Sequence, residues 1–298
     1  MTERRAALIF NPMSGRSGGR PDRIRKMCQL LAGKGVDVEV RATAGPGDAA
    51  VLARRAVASG KDMVIAYGGD GTLNEVAQGM SGSRTPLAIW AGGTANVVAR
   101  DLALPSDAGS LADVIAAGKE RRISLGLVRT ADSSISRYFL MFAGIGLDAS
   151  ICRGVDQKLK RKTGQFAFWV SGIRHLFGWE PVPFLLDIGG EKHEGAFALV
   201  GKGKGYGGGI MMTPNARLED PDFEVFILPR HRRNYSYLID LAGCMRGRPE
   251  RTSGVLLRSN HITATSAGEV WIEVDGEVVA PLPVTIEAVP DALSVIVP

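Results

Sequence analysis

The sequence predicts an α/β fold in two parts: an N-terminal domain built on a parallel sheet, residues 1–122, and a larger β-sandwich domain, residues 123–298. Three observations carry this reading. Up to Arg122, short apolar runs alternate with stretches of helical spacing, the pattern of a parallel sheet covered on both faces. Beyond it, strand patterns follow one another with short turns, the pattern of a mainly antiparallel sandwich. The 298 residues, 45% hydrophobic and 22% charged, suffice for two cores and exclude a disordered chain.

Taken in order, Ala6–Phe10 reads as a buried strand that breaks into the loop Asn11–Gly19. Ile24–Ala32 has helical spacing, Val36–Ala42 alternates as a strand, and Ala49–Ala58 is an alanine-rich helix. Met63–Tyr67 is a short apolar strand ending at Gly68-Gly-Asp-Gly-Thr72. A helix resumes over Leu73–Met80, Leu87–Trp90 is a strand, and Gly92-Gly-Thr-Ala-Asn96 opens the next helix. In the second part Ile123–Thr130, Tyr138–Ile145, Phe184–Ile188, Ala196–Val200 and Phe223–Leu228 read as strands. So do Val255–Thr265, Val270–Val274, Val284–Ala288 and Leu293–Val297; helical spacing interrupts them over Ala149–Phe177 and Tyr235–Arg246.

The strongest local signal is Tyr67-Gly-Gly-Asp-Gly-Thr-Leu-Asn-Glu75, a strand end that turns directly into a helix. Its glycines let backbone amides approach a phosphate that side chains would block, and the helix start adds positive potential. Asp70, in the middle of the turn, suits either a metal–nucleotide complex or proton acceptance; the plainer alternative is a tight turn in which Asp70 is a cap. Asn11-Pro-Met-Ser-Gly15 and Gly92-Gly-Thr94 are further glycine-containing loops after strands. Parallel strands bring three such loops to one sheet edge, where open α/β sheets bind ligands. None has the spacing of a Walker A loop or of a GxGxxG fingerprint.

These residues resemble the diacylglycerol kinase catalytic-domain family, which includes soluble bacterial lipid kinases and the sphingosine kinases. Asn11-Pro-Met-Ser-Gly15, Gly68–Val76 and Gly93-Thr-Ala-Asn96 occur in that family's order and spacing. The likeness continues through Gly144-Ile-Gly-Leu-Asp-Ala149, Tyr206-Gly-Gly-Gly209, Pro214-Asn-Ala216 and Val274-Asp-Gly-Glu277, and so spans nearly the whole chain.

The resemblance implies an ATP-dependent lipid kinase with an N-terminal nucleotide-binding domain and a lipid-substrate domain, using ATP and Mg2+. It assigns ATP binding to Asn11, Pro12, Met13, Ser14, Gly15, Thr43, Gly68, Gly69, Asp70, Gly71, Thr72, Leu73, Asn74, Glu75 and Thr94. Glu277 matches the residue proposed as general base, with Asp70 the other catalytic candidate. A lipid hydroxyl attacking a γ-phosphoryl group must lose a proton, and a placed carboxylate can take it. Read without the family, Asp275-Gly-Glu277 is a hairpin turn.

The resemblance further implies a structural magnesium ion held by the Asp220 side chain and the carbonyls of Arg217 and Asp222, hard oxygen ligands that suit this ion. The chain departs from the family at three places. Asp220-Pro221 stands where Asp-Gly is usual, Lys202 where many relatives carry asparagine, and Val97-Val98 where Asp-Phe is usual.

Lysine plus arginine number 36 against 31 acidic residues, a net +5. That excess suits a phosphate-bearing ligand or an anionic membrane surface and does not imply nucleic acid. Lys158-Leu-Lys-Arg-Lys162, with Phe166-Ala-Phe-Trp169 after it, reads equally as a helix at an anionic headgroup layer or as a solvated basic face over core aromatics. His231-Arg-Arg233 reads as a solvated loop. Cys28, Cys152 and Cys244 are isolated, and no leader or spanning stretch is evident. The expected location is therefore the cytoplasm, with peripheral contact at the inner face of the membrane; a homodimer is left open. The nearest rival enzyme is NAD kinase, which shares the Gly-Gly-Asp-Gly turn. A non-catalytic lipid-binding or regulatory protein on the same fold is the rival from another class.

Overall fold

A computed structural model describes residues 3–13, 20–154, 178–206 and 209–298. The chain divides into two compact units, Met1–Ile123 with Asp291–Pro298, and Ser124–Pro290. The expected second domain, residues 123–298, differs from this division at Ile123 and at its last eight residues, Asp291–Pro298, which belong to the first unit. Backbone pairing explains the return. Val295 pairs in parallel with Leu87, Val297 N donates to the Lys119 carbonyl, and Gly82 N donates to the Ala292 carbonyl.

In the first unit, strands β1 (Arg4–Phe10), β2 (Val36–Ala42), β3 (Met63–Gly68) and β4 (Leu87–Ala91) lie in the order β2-β1-β3-β4. All are parallel. Helices α1 (Arg20–Ala32), α2 (Asp48–Ala58) and α3 (Asp70–Met80) make the crossovers, followed by α4 (Val97–Asp101) and α5 (Ala108–Ala117). The apolar spacing of α1 buries Ile24, Met27 and Leu31, which pack with Leu8, Ile65 and Ile115. The ends of α5 are set locally: the Asp107 carboxylate accepts the Ser110 amide, and Gly118 closes the helix at φ 64°. Strand order reverses between β1 and β3, so the loops after these two strands flank a topological switch point.

The chain enters the second unit along β5 (Glu120–Thr130) and continues through β6 (Ser136–Phe139), β7 (Phe142–Gly146), α6 (Leu147–Gly154), β8 (Phe184–Ile188), β9 (Glu191–Gly195), β10 (Phe197–Gly201), β11 (Gly205–Tyr206) and β12 (Ile210–Met211). Then come β13 (Phe223–Leu228), α7 (Tyr235–Met245), β14 (Val255–Ser259), β15 (His261–Thr265), β16 (Trp271–Val274), β17 (Glu277–Pro281) and β18 (Val284–Ile296). One antiparallel sheet runs β14-β13-β10-β7-β16-β17; in the other, β15 lies between the first part of β18 and β8, with β9 beyond β8. Their inner faces share a core that includes Phe139, Phe184, Phe223, Ile262, Ile272 and Ile286.

Four expected strands differ. Tyr138–Ile145 divides into β6 and β7 because the amides between them are taken by the Asp275 carboxylate. Val255–Thr265 divides at Asn260, whose carbonyl accepts the Ala288 amide. Val284–Ala288 and Leu293–Val297 join into the single strand β18. None of the described helices is long and apolar enough to cross a membrane.

Candidate active site

The first unit presents a glycine-rich turn at the switch point. β3 ends at Gly68, and α3 starts at Asp70 with Gly69 as its cap residue, which offers no side chain to the first-turn amides. Leu73 N is bonded to the Gly69 carbonyl, while Gly71 is exposed. Such an uncapped helix start suits an anion's oxygens. Against it lies Gly92–Asn96, closed on itself: Asn96 accepts the Gly93 amide and donates to the Gly93 carbonyl, each at 2.9 Å. The two loops touch backbone to backbone, so a Cβ on Gly93 would come within 2.6 Å of the Gly69 Cα. Asp70 is half-buried and accepts the Val97 amide at 2.8 Å. Burial pushes its carboxyl above the usual range, with neighbouring backbone amides pulling it back.

The loop after β1 begins with an Asx turn, in which the Asn11 carboxamide accepts the Met13 amide at 2.8 Å. Arg20, at the start of α1, holds this loop by donating to the carbonyls of Asn11, at 2.9 Å, and of Pro12. Ser14 and Gly15 lie outside the described residues. Thr94 is exposed. Several other sequence candidates belong to the scaffold: Thr43, Thr72, Leu73 and Asn74 are buried, and Asn74 accepts a hydrogen bond from Gln78 at 3.1 Å. Glu75 accepts the Ala49 amide at 3.2 Å, so it caps the first turn of α2.

In the second unit the Asp-Gly turn between β16 and β17 is a tight hairpin, with φ 48° at Asp275 and 85° at Gly276. Both central residues are left-handed, as this hairpin type requires. Asp275 also braces the unit, accepting the amides of Leu140 at 2.7 Å and of Met141 and Phe142 at 3.0 Å. Glu277, two residues on, is exposed and ion-paired with Arg137 at 2.6 Å. Beneath this hairpin lies a group of which only separate motif fragments are legible in the sequence. Asp148, Tyr206 and Glu273 are brought together, the tyrosine hydroxyl donating to Asp148 and Glu273 hydrogen-bonding Asp148. Burial, reinforced by the Asp148 charge, holds the Glu273 carboxyl well above its ordinary range, and the Tyr206 phenol is raised for the same reasons. Gly144 makes room for the pair, since a Cβ there would meet Asp148 Oδ2 at 2.1 Å and Glu273 Oε1 at 2.7 Å.

The residues expected to ligate a structural magnesium ion do not fit it. Lys202, 0% exposed, donates its ammonium to the Asp220 carbonyl and, at 3.0 Å, to the Asp222 carbonyl. Arg258 pairs with the Asp220 carboxylate at 2.6 Å and donates Nε to Asp222 at 3.0 Å. The Arg217 carbonyl accepts the Asp220 amide. The set Arg217, Asp220 and Asp222 is therefore corrected: its oxygens are taken by the chain's own cations and amides. Burial pulls the Lys202 ammonium down to about 8, against the opposing pull of Asp220 and Asp222. Lys202 stands out in the sequence as a departure and Asp220 and Asp222 as candidate ligands, whereas their pairing across eighteen and twenty residues is not legible there.

Comparison with known proteins places both parts of the chain in a family. Residues 5–128 match the diacylglycerol kinase catalytic domain, and residues 142–297 match the YegS C-terminal NAD kinase beta sandwich-like domain. These two matches define the class, a kinase-type α/β unit joined to a β-sandwich. The chain belongs to the diacylglycerol kinase family. It is 30% identical over 276 residues to the diacylglycerol kinase of Bacillus subtilis, covering 91% of this chain and 86% of that protein. It is 31% identical over 289 residues to that of Staphylococcus saprophyticus, covering 94% and 91%. A crystal structure of a Bacillus anthracis diacylglycerol kinase shares the fold at TM-score 0.80 and 24% identity, covering 99% of this chain and 97% of that one.

Proposed function

We propose that this protein is an ATP-dependent lipid kinase that transfers the γ-phosphoryl group of ATP to a lipid hydroxyl, that of diacylglycerol or a related lipid. The observation that carries the reading is the uncapped α3 start at Gly69-Asp70-Gly71, held against Gly92–Asn96. Curated relatives at 30% and 31% identity bear the name diacylglycerol kinase.

The residues present fit a nucleotide's phosphates. Gly69, Asp70, Gly71, Asn11 and Thr94 are the groups that would hold them, the amides bonding phosphate oxygens without side-chain interference. Bound ATP supplies the transferable phosphoryl group, and its accompanying Mg2+ neutralises developing charge. Asp70 is the carboxylate at that turn that would hold the ion, and a bound cation would favour the ionised form that burial disfavours. In the second unit Glu277 takes the proton of the attacking hydroxyl, and Arg137 orients it. The acceptor lipid enters with the protein at the cytoplasmic face of an anionic membrane. Lys158–Lys162 and Phe166–Trp169, the basic and aromatic stretch first read for that contact, lie outside the described residues.

The test is ATP consumption measured over a panel of lipid alcohols, with NAD as a further acceptor. Turnover that requires an added lipid supports the proposal. Turnover with NAD, or none with any lipid, defeats it.

A further inference from the structure

The loop Arg217–Asp222 carries its own cation. We propose that the Lys202 ammonium permanently replaces a divalent ion there, so that the loop is formed without metal. The ammonium donates to the Asp222 carbonyl, one of the oxygens that would ligate the ion, and to the Asp220 carbonyl beside it, so a metal drawing on that set would compete with it for the Asp222 oxygen. Charge leads to the same conclusion. Arg258 already pairs with the carboxylates of Asp220 and Asp222, and Lys202 is a second cation beside them with Glu219 the further acid near it, so a divalent ion would leave this partly buried cluster with an excess of positive charge. Proline at 221 fits this arrangement, since the cluster uses the carbonyls on either side of it and needs no amide from that position. An ammonium suits such a site because it offers three donors and cannot dissociate from its chain.

The experiment follows thermal unfolding of the full chain without nucleotide, in EDTA and in excess Mg2+, for wild type and Lys202→Asn. Wild type is expected to unfold at the same temperature in both. Lys202→Asn is expected to unfold at least about 3 °C lower in EDTA and to recover part of the loss with Mg2+. Mn2+ binding to wild type, followed by its electron paramagnetic resonance signal, keeps the test decisive if the variant does not fold, with no tight site expected. A wild-type melting temperature lowered by EDTA, a tight Mn2+ site abolished by Asp220→Asn, or a Lys202→Asn variant as stable as wild type would overturn the proposal.

A second inference rests on a different feature, the outward face of α7. Tyr237, Asp240 and Cys244 turn inward, while Tyr235, Ile239 and Met245 on the opposite side are 47%, 67% and 65% exposed. A helix apolar on both faces is ordinarily covered on both. Arg232 and Arg233 precede this face, and Arg246 and Arg248 follow it; all four are exposed. The acid within the helix, Asp240, is buried against His231 and Ser253. We infer that this face docks on an anionic lipid bilayer, with the apolar side chains in the interfacial layer and the arginines at the headgroups. A second copy of the chain is disfavoured, because two such helices packed in either direction bring arginines together. The inference rests on the lipid-kinase reading for its purpose, since a lipid acceptor resides in a bilayer.

Sedimentation with phosphatidylglycerol-containing vesicles, lacking ATP and acceptor lipid, tests docking apart from catalysis. Wild type is expected to bind these vesicles, weakly at high salt and not at all when they are pure phosphatidylcholine. Ile239→Ser with Met245→Ser should weaken binding at least about tenfold, and neutralising Arg232, Arg246 and Arg248 about a hundredfold. Wild-type vesicle affinity in the folded variants, absence of binding by wild type, or a dimer in ultracentrifugation that the serine variants dissociate would each overturn the inference.

Discussion

The Asp70 carboxylate accepts the Val97 amide at 2.8 Å, joining the turn after β3 to the loop after β4. That bond separates two roles that one residue can carry. Asp70→Asn retains an oxygen able to accept the amide and loses the negative charge, so the fold should survive while the charge-dependent step fails. We expect kcat to fall by about 10²-fold or more, with a melting temperature close to wild type. Asp70→Ala removes both, and should also destabilise by about 1–3 kcal/mol. Activity of Asp70→Asn within a few-fold of wild type, under saturating ATP and Mg2+, would remove Asp70 from catalysis.

Asp275 stands two residues before the proposed base, yet its work is structural. Three backbone amides converge on its carboxylate, and alanine would leave them without that acceptor in a part-buried place. Asp275→Ala should cost about 3 kcal/mol or more, read as a lowered urea midpoint. Asn keeps the acceptor oxygen and tolerates the left-handed φ of 48°, so Asp275→Asn should be milder. Equal midpoints for wild type and Asp275→Ala would refute the brace.

Local pattern made much of this molecule legible. Period and punctuation marked β1 to β4 and their crossovers, and the Asp275-Gly276 dipeptide marked the hairpin it forms. Contacts distant in sequence were not legible. Glu75 looked like a ligand of the glycine turn, and only the packing of α3 beside α2 shows it bonded to Ala49. The polar strand β9, Glu191–Gly195, lacks any apolar alternation and exists because Gly189 and Gly190, both at positive φ, fold it back on β8. The division of β6 from β7 depended on Asp275, more than 130 residues away.

Glu273 provides a pH test. Its carboxyl is raised chiefly by burial and then by Asp148, so the folded state binds its proton more tightly than the unfolded state does. Stability from this group is fully present below the ordinary glutamate range and is lost as pH rises toward the raised value. Glu273→Gln imitates the protonated form: its carbonyl oxygen can accept the Gly276 amide, which Glu273 accepts at 2.6 Å, and its amide can donate to Asp148. The variant should therefore match wild type near about pH 5 and exceed it near about pH 9 in urea midpoint. Parallel stability curves over that range would show that Glu273 is ionised throughout.

Glu277 is where a catalytic and a purely structural role lead to opposite results. Its exposed carboxylate pairs with Arg137 at 2.6 Å, and partly exposed pairs of this kind contribute about 0–1 kcal/mol to stability. As a turn residue alone, Glu277→Gln would therefore be almost silent. As the general base it loses proton acceptance while keeping its shape, and kcat should fall by about 10²–10⁴-fold with KM for ATP unchanged, the mark of an interaction made in the transition state. Arg137→Gln distinguishes orientation from chemistry: it frees the carboxylate without removing it, so its loss in kcat should be smaller than that of Glu277→Gln. The comparison uses one accepted lipid and variants of equal melting temperature. A decrease of less than about tenfold for Glu277→Gln would move the base elsewhere, with Asp70, the other carboxylate proposed to act at the phosphates, the next to be tested.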